Sequence, residues 1–112
     1  MTMQKIYKLN GFGGSDQLEM AEAIIPKPSE TQITVKNQAI GLNYLDVYYR
    51  AGLYPWPNQN ELKIPGSEAA GIITEVGTGV THLKEGDRVT YVLPVGAYAE
   101  YVCVDIKHVA KL

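Results

Sequence analysis

With 112 residues, 46% of them hydrophobic, the chain has the size and composition of one globular domain. Its net charge of −2 and its scattered Lys and Arg residues exclude the basic patch of a nucleic-acid-binding protein. No run nears the about 18 apolar residues of a transmembrane helix, no secretory signal is visible, and a single cysteine, Cys103, fits a reducing compartment. We therefore expect a cytoplasmic domain with neither nucleic-acid nor membrane partners.

Short β-rich runs separated by turn residues dominate the chain. In chain order, the predicted strands are Met3–Leu9, Gln17–Ile25, Gln32–Ile40, Gly71–Val76, Arg88–Leu93 and Tyr98–Val104. Alternation is clearest in the third run, where Ile33 and Val35 fall on one face and Thr34 on the other. Regular short strands of this kind predict a mainly β fold, built as a small barrel or sandwich.

One segment breaks the β pattern and predicts a short helix over Asn43–Ala51. Asn43 would be its N-cap residue, and Asp46 supplies a carboxylate in its first turn. Asp46 and Arg50 are four residues apart, so we expect them to pair on the helix surface with a contribution of about 0.3 kcal/mol. The polar, proline-bearing loop that follows, Leu53–Leu62, is long enough to suggest a functional role.

Several motifs together carry a family resemblance that covers essentially the whole chain. The segments Ala39–Tyr54, Gly66–Val89 and Gly96–Tyr101 resemble the N-terminal catalytic domain of the medium-chain dehydrogenases/reductases, and the spacing from Gly66 to Val89 is the most specific part. The resemblance implies a GroES-like β-barrel with short helices over residues 1–112. In that family a nucleotide-binding Rossmann domain follows, whereas this chain stops at Leu112, so we expect it to be inactive by itself.

Two positions within these motifs indicate the branch of the family. In zinc-dependent members a Cys and a His hold the catalytic metal where this chain has Asn43 and Ser67. A neutral amide or hydroxyl is a poor replacement for a zinc ligand. The chain therefore resembles the zinc-free quinone oxidoreductase (zeta-crystallin-like) branch, which implies NADPH as the cofactor, a quinone or enone as the substrate and a homodimer, although the isolated domain could be a monomer. The alternatives are a zinc-type alcohol dehydrogenase domain and a non-enzymatic GroES-like binding or assembly module.

Without a metal, hydrogen-bond donors must stabilise the negative charge that develops on the acceptor during reduction. By resemblance, the catalytic residues are Asn43, Tyr48 and Tyr54, and the cofactor-binding residues are Asn43, Asp46, Tyr48 and Arg50. Each has a simpler explanation: Asn43 as a helix cap, Asp46 as a residue that orders the helix start, and the tyrosines as partly buried packing residues.

Glu68 is a further charged residue in the motifs. It stands among small and apolar residues, so we expect it to be buried. A buried carboxylate needs a partner, and Arg50 or Arg88 could supply it, in a structural role.

Overall fold

The computed structural model describes residues 2–112, and antiparallel strands dominate it. The elements are β1 (Met3–Leu9), β2 (Leu18–Ile24), β3 (Gln32–Ile40), α1 (Tyr44–Arg50), β4 (Glu68–Val76), β5 (Arg88–Val92), β6 (Tyr101–Asp105) and β7 (Val109–Lys111). Single turns of 3₁₀ helix at Ser15–Gln17 and Ile106–His108 precede β2 and β7. The predicted mainly β fold is confirmed, and no helix within residues 2–112 has the length and apolar character needed to cross a membrane.

The strands form two sheets, and the longest connection between consecutive strands joins two neighbours in the larger sheet. β1 and β2 pair with each other, from Met3 opposite Ile24 to Leu9 opposite Leu18. The other five strands form one sheet in the order β6-β3-β4-β5-β7. β3 and β4 are neighbours in this sheet, and the chain between them contains α1 and the loop that follows it. These elements therefore lie at the edge where β3 ends and β4 begins.

Most predicted strands are observed, and their bounds differ where long-range pairing decides. β4 begins at Glu68, three residues before the predicted start, because its first residues already pair with both β3 and β5. β6 begins only at Tyr101, since the backbone N–H of Tyr98 donates to the carbonyl oxygen of Pro65 at 2.9 Å instead of to a neighbouring strand. The sequence pattern did not predict β7, which is only three residues long.

One apolar core lies against the inner faces of the strands. Eight of its side chains are at most 1% exposed: Ile6, Ile33, Val35, Ile73, Val89, Tyr91, Ala97 and Val104. Tyr91 is the polar member, and its hydroxyl donates to Oδ1 of Asn37 at 2.8 Å. Burial is the main cause that raises the pKa of Tyr91 to about 12, so the phenol remains neutral.

Gly71, in β4, occupies a position where the neighbouring strand leaves no room for a side chain. A Cβ atom there would overlap the carbonyl oxygen of Lys36 in β3. Because a backbone oxygen cannot rotate aside, Gly71→Ala should lower the free energy of unfolding by about 3 kcal/mol, as measured by urea denaturation. Gly11→Ala is the control, since its Cβ would meet only the flexible end of Gln17 at 3.3 Å. Equal unfolding midpoints for the two variants would contradict this packing.

Candidate active site

α1 begins as the sequence predicts, with Asn43 as its N-cap residue in an extended conformation. The carboxylate of Asp46 accepts a hydrogen bond from the backbone N–H of Asn43 through Oδ2 at 3.1 Å. This bond satisfies one of the free N–H groups at the helix start. The predicted helix over Asn43–Ala51 is therefore confirmed as α1 together with its two capping residues.

Asn43 and Ser67 stand at the positions that hold zinc in the zinc-dependent members of the family that the chain resembles, and they contact each other. Nδ2 of Asn43 donates to Oγ of Ser67 at 3.3 Å, and Ser67 is only 5% exposed. An amide and a hydroxyl that bond each other offer a metal no thiolate, imidazole or carboxylate. Among residues 2–112, no three His, Cys, Asp or Glu side chains are grouped so that they could hold a metal ion. These residues do not fit a catalytic zinc ion.

Asp46 is the buried charge of the site, with a side chain that is 5% exposed. Its Oδ2 atom accepts from Oη of Tyr98 at 2.7 Å, in addition to the N–H of Asn43. Its Oδ1 atom is closed to solvent and has no hydrogen-bond partner within residues 2–112. Burial and, after it, the bond to Asp46 hold the pKa of Tyr98 well above its usual range, so Tyr98 acts as a hydrogen-bond donor.

Arg50 does not form the predicted ion pair with Asp46, and that prediction is wrong. Its Nε atom donates to the carbonyl oxygen of Gly13 at 3.2 Å, which ties α1 to the loop before β2. Tyr98 takes the place of Arg50 as the side-chain partner of the carboxylate. Asn43, Asp46, Arg50 and Tyr98 nevertheless line one cavity of about 290 Å³, whose remaining walls are apolar.

Glu68 is exposed, so the prediction that it is buried beside an arginine is wrong. Its side chain lies against Gly41, where a Cβ atom would overlap it, and its carbonyl oxygen accepts from the N–H of Gly41 at 3.1 Å. Neither Arg50 nor Arg88 takes part in an ion pair in the described part of the chain. The glycine at position 41 thus lets the charged side chain pass over the end of β3 into solvent.

Tyr48 and Tyr54 form an aromatic pair away from this cavity. Their ring centroids are 5.5 Å apart at an angle of 58°, and the two residues are 38% and 46% exposed. Tyr49 meets Tyr54 edge-on at 5.7 Å and Trp56 at 5.9 Å. This aromatic cluster, Tyr48, Tyr49, Tyr54 and Trp56, packs the loop after α1 onto the helix and leaves the rings of Tyr48 and Tyr54 accessible.

The structure therefore divides the predicted site residues into two groups. Asn43, Asp46 and Arg50 face the cavity beside Tyr98, whereas Tyr48 and Tyr54 lie in the aromatic cluster. Helical geometry explains the division within α1, since Asp46 and Arg50 are four residues apart and lie about 40° from each other, whereas Tyr48 is about 160° from each of them. Both groups lie within residues 43–54, so the cavity and the aromatic cluster could each contact a different side of one ligand.

Tyr98 is the residue of the site that sequence reasoning missed. It lies in the Gly96–Tyr101 motif, but 52 residues separate it from Asp46, and no local pattern indicates their contact. The available signal was a tyrosine at the start of a predicted strand, two residues after Gly96, which is equally typical of a packing residue.

Comparison with known proteins identifies relatives for this chain. The family described as alcohol dehydrogenase GroES-like domain matches residues 29–112. The chain is 46% identical over 91 residues to quinone oxidoreductase 1 of Escherichia coli and 45% identical over 108 residues to a probable quinone oxidoreductase of Schizosaccharomyces pombe. The alignments cover 78% and 96% of this chain but only 26% and 32% of those relatives. The chain thus spans about a third or less of their length.

Solved structures share the fold along nearly the whole chain. The quinone oxidoreductase of Escherichia coli, complexed with NADPH, superimposes with a TM-score of 0.85 at 37% identity and covers 96% of this chain and 33% of that one. A cobalt- and zinc-bound thermostable alcohol dehydrogenase of Pyrobaculum aerophilum superimposes with a TM-score of 0.89 at 24% identity, covering 98% of this chain and 41% of that one. The second likeness shows a common fold alone, so metal content has to be decided from the residues present.

Proposed function

Because the chain belongs to the alcohol dehydrogenase GroES-like domain family, we propose that it is the catalytic domain of an NADPH-dependent oxidoreductase that reduces quinones or enones without a metal. The hydrogen bond between Asn43 and Ser67 carries this proposal, because it occupies the two metal-ligand positions with groups that do not bind zinc. The identity to proteins named quinone oxidoreductase supports the choice of acceptor. The NADPH complex of one relative supports the choice of cofactor.

The exposed aromatic pair is suited to stabilising a reduced acceptor. NADPH, when bound, supplies a hydride, and the acceptor oxygen then carries negative charge until it takes up a proton. Tyr48 and Tyr54 present phenol hydroxyls that can donate hydrogen bonds to such an oxygen, and their exposed rings can lie against a planar acceptor. The amide of Asn43 offers a third donor, because Nδ2 carries two protons and Ser67 accepts only one of them.

The cofactor-binding role rests on the residues around the cavity. Asn43, Asp46 and Arg50 from the cavity, together with Tyr48 from the neighbouring aromatic cluster, would contact the nicotinamide half. Within residues 2–112, Arg50 donates only through Nε, to Gly13, which leaves its two terminal nitrogens for a polar group. They cannot hold a whole dinucleotide, which requires a glycine-rich turn and a helix N-terminus from a further domain. We propose that the full-length protein supplies that domain, acts in the cytoplasm and forms a homodimer.

The test of this function is an assay of the full-length protein with several acceptors. We expect NADPH oxidation that depends on a quinone or an enone, and little oxidation of primary alcohols with NADP⁺. A protein that oxidises alcohols readily and leaves quinones unreduced would contradict the proposal and favour the alcohol dehydrogenase alternative.

We also expect the full-length protein to contain no stoichiometric zinc. Asn43 and Ser67 supply neither the thiolate nor the imidazole that a tetrahedral zinc site requires. Elemental analysis of protein purified without chelators measures the zinc content directly. One tightly bound Zn²⁺ per chain would show this expectation to be wrong.

A further inference from the structure

The carboxylate of Asp46 depends on few partners. One oxygen, Oδ1, is closed to solvent and has none in the part of the chain that the structure describes. The other, Oδ2, has two: Oη of Tyr98 at 2.7 Å and the backbone N–H of Asn43 at 3.1 Å. Leaving a buried carboxylate without hydrogen bonds costs a large desolvation penalty. The two donors therefore determine how the carboxylate of Asp46 is oriented. Tyr98 is the only side chain that bonds to it among residues 2–112.

Tyr98 itself is held firmly against the segment that contains Ser67. Its backbone N–H donates to the carbonyl oxygen of Pro65 at 2.9 Å, and the N–H of Ala97 donates to that of Gly66 at 3.1 Å. Gly66 has a φ of +104°, and a Cβ atom there would overlap the ring of Tyr98 and lie 2.8 Å from its backbone nitrogen. The ring therefore fills the space beside Gly66 and has little freedom to move.

These contacts form a closed series of interactions that includes Asn43 and Ser67, the positions of the metal ligands in zinc-dependent members of the family. Tyr98 bonds to Asp46, Asp46 accepts from the backbone of Asn43, and the Asn43 side chain donates to Ser67. Ser67 follows Gly66, against which Tyr98 packs. The direction of the Asn43 amide is thus fixed from both ends, by Ser67 directly and by Tyr98 through Asp46.

We propose that Tyr98 is a positioning residue for this site. Its hydroxyl holds Asp46 in the orientation that fixes the backbone of Asn43, and through it the amide that bonds to Ser67. The consequence for turnover rests on the proposed function, whereas the consequence for the geometry of Asn43 does not.

Tyr91 provides a control, because it is a second tyrosine whose hydroxyl donates to a side chain, although Tyr91 is fully buried and Tyr98 is half-buried. Its partner is Asn37, at 2.8 Å, and Asn37 in turn donates to the carbonyl oxygens of Ala97 and Ala99 at 3.1 and 2.9 Å. Through Asn37, Tyr91 therefore supports the turn that contains Tyr98 from the core side, without contacting Asp46. A purely structural role of Tyr98 would give Tyr98→Phe and Tyr91→Phe the same consequences.

The direct test is ¹⁵N NMR of the chain, with the backbone and side-chain amides of Asn43 as reporters. We expect Tyr98→Phe to shift both signals and Tyr91→Phe to leave them in place. The effect should disappear when Tyr98→Phe is made in an Asp46→Ala background, because the bond is already absent there. Unchanged Asn43 signals in Tyr98→Phe, or equal shifts in the two single variants, would overturn the proposal.

A kinetic measurement on the full-length protein separates this inference from the proposed function. We expect Tyr98→Phe to lower kcat/KM for a quinone by about tenfold, the size of effect that follows the loss of a charge-assisted hydrogen bond. Tyr91→Phe should change kcat/KM much less at a similar loss of melting temperature. A wild-type protein without quinone-dependent NADPH oxidation would refute the proposed function, and the NMR result would still decide the role of Tyr98. Equal kinetic losses in the two variants would overturn that role.

Discussion

Tyr48→Phe and Tyr54→Phe are each expected to lower kcat/KM of the full-length protein for a quinone by a factor of about 10²–10³. In the proposed metal-independent reaction, a phenol hydroxyl takes the place of a Lewis acid in stabilising the charge on the acceptor oxygen, and losing a well-placed donor costs about 3 kcal/mol. The two residues are 38% and 46% exposed, so removing their hydroxyls should barely alter folding. Steady-state kinetics together with a melting curve measure both quantities on the same sample.

Tyr44→Phe is the matched control for these variants. Tyr44 is the first residue of α1, but it is 81% exposed and lies outside the aromatic cluster. Its loss of a hydroxyl should leave both the melting temperature and kcat/KM at their parental values. If Tyr48→Phe and Tyr54→Phe also retain parental kinetics, the tyrosines only shape the pocket, and the amide of Asn43 becomes the better candidate for the donor.

The chain of 112 residues by itself is expected to show no turnover. In the proposed function it supplies one wall of the active site, whereas tight binding of the dinucleotide needs a glycine-rich turn and a helix N-terminus, which belong to a nucleotide-binding domain. The chain covers only about 26–32% of the relatives named quinone oxidoreductase, which leaves ample length for such a domain.

Quinone-dependent oxidation of NADPH by the isolated chain measures this expectation, with the full-length protein as the positive control and heat-inactivated chain as the blank. The rate should equal the blank. A rate clearly above the blank would show that this domain binds the cofactor by itself, which would contradict the expectation that a nucleotide-binding domain is required.

The sequence predicted well those features that short-range rules decide. β1 and β3 have the predicted bounds, because alternation of apolar residues and the flanking turns determine them locally. α1 begins at the predicted cap, since Asn43 and Asp46 are only three residues apart and bond within one turn. The absence of zinc ligands at positions 43 and 67 was also readable, because it depends on residue type alone.

Short-range rules could not predict contacts between segments that are distant in the sequence. The bond between Tyr98 and Asp46 joins residues 52 apart and exists only once β3, β4 and β6 have paired in their registers. Arg50 was expected to bond Asp46 by helix spacing, but the loop at Gly13, 37 residues away, presents a carbonyl oxygen to it. Glu68 was expected to be buried because its neighbours are apolar, yet its strand position turns it outward.

The central claim, that this domain serves a metal-independent NADPH-dependent quinone reductase, is tested most directly by one measurement. Quinone-dependent NADPH oxidation should be followed in full-length protein after exhaustive treatment with a chelator, with the zinc content of the same sample determined. We predict that turnover is unchanged while zinc is absent, because Asn43 and Ser67 bond each other and offer zinc neither a thiolate nor an imidazole. Activity that falls with chelation and returns on addition of Zn²⁺, or an absence of quinone reduction in the untreated protein, would contradict the claim.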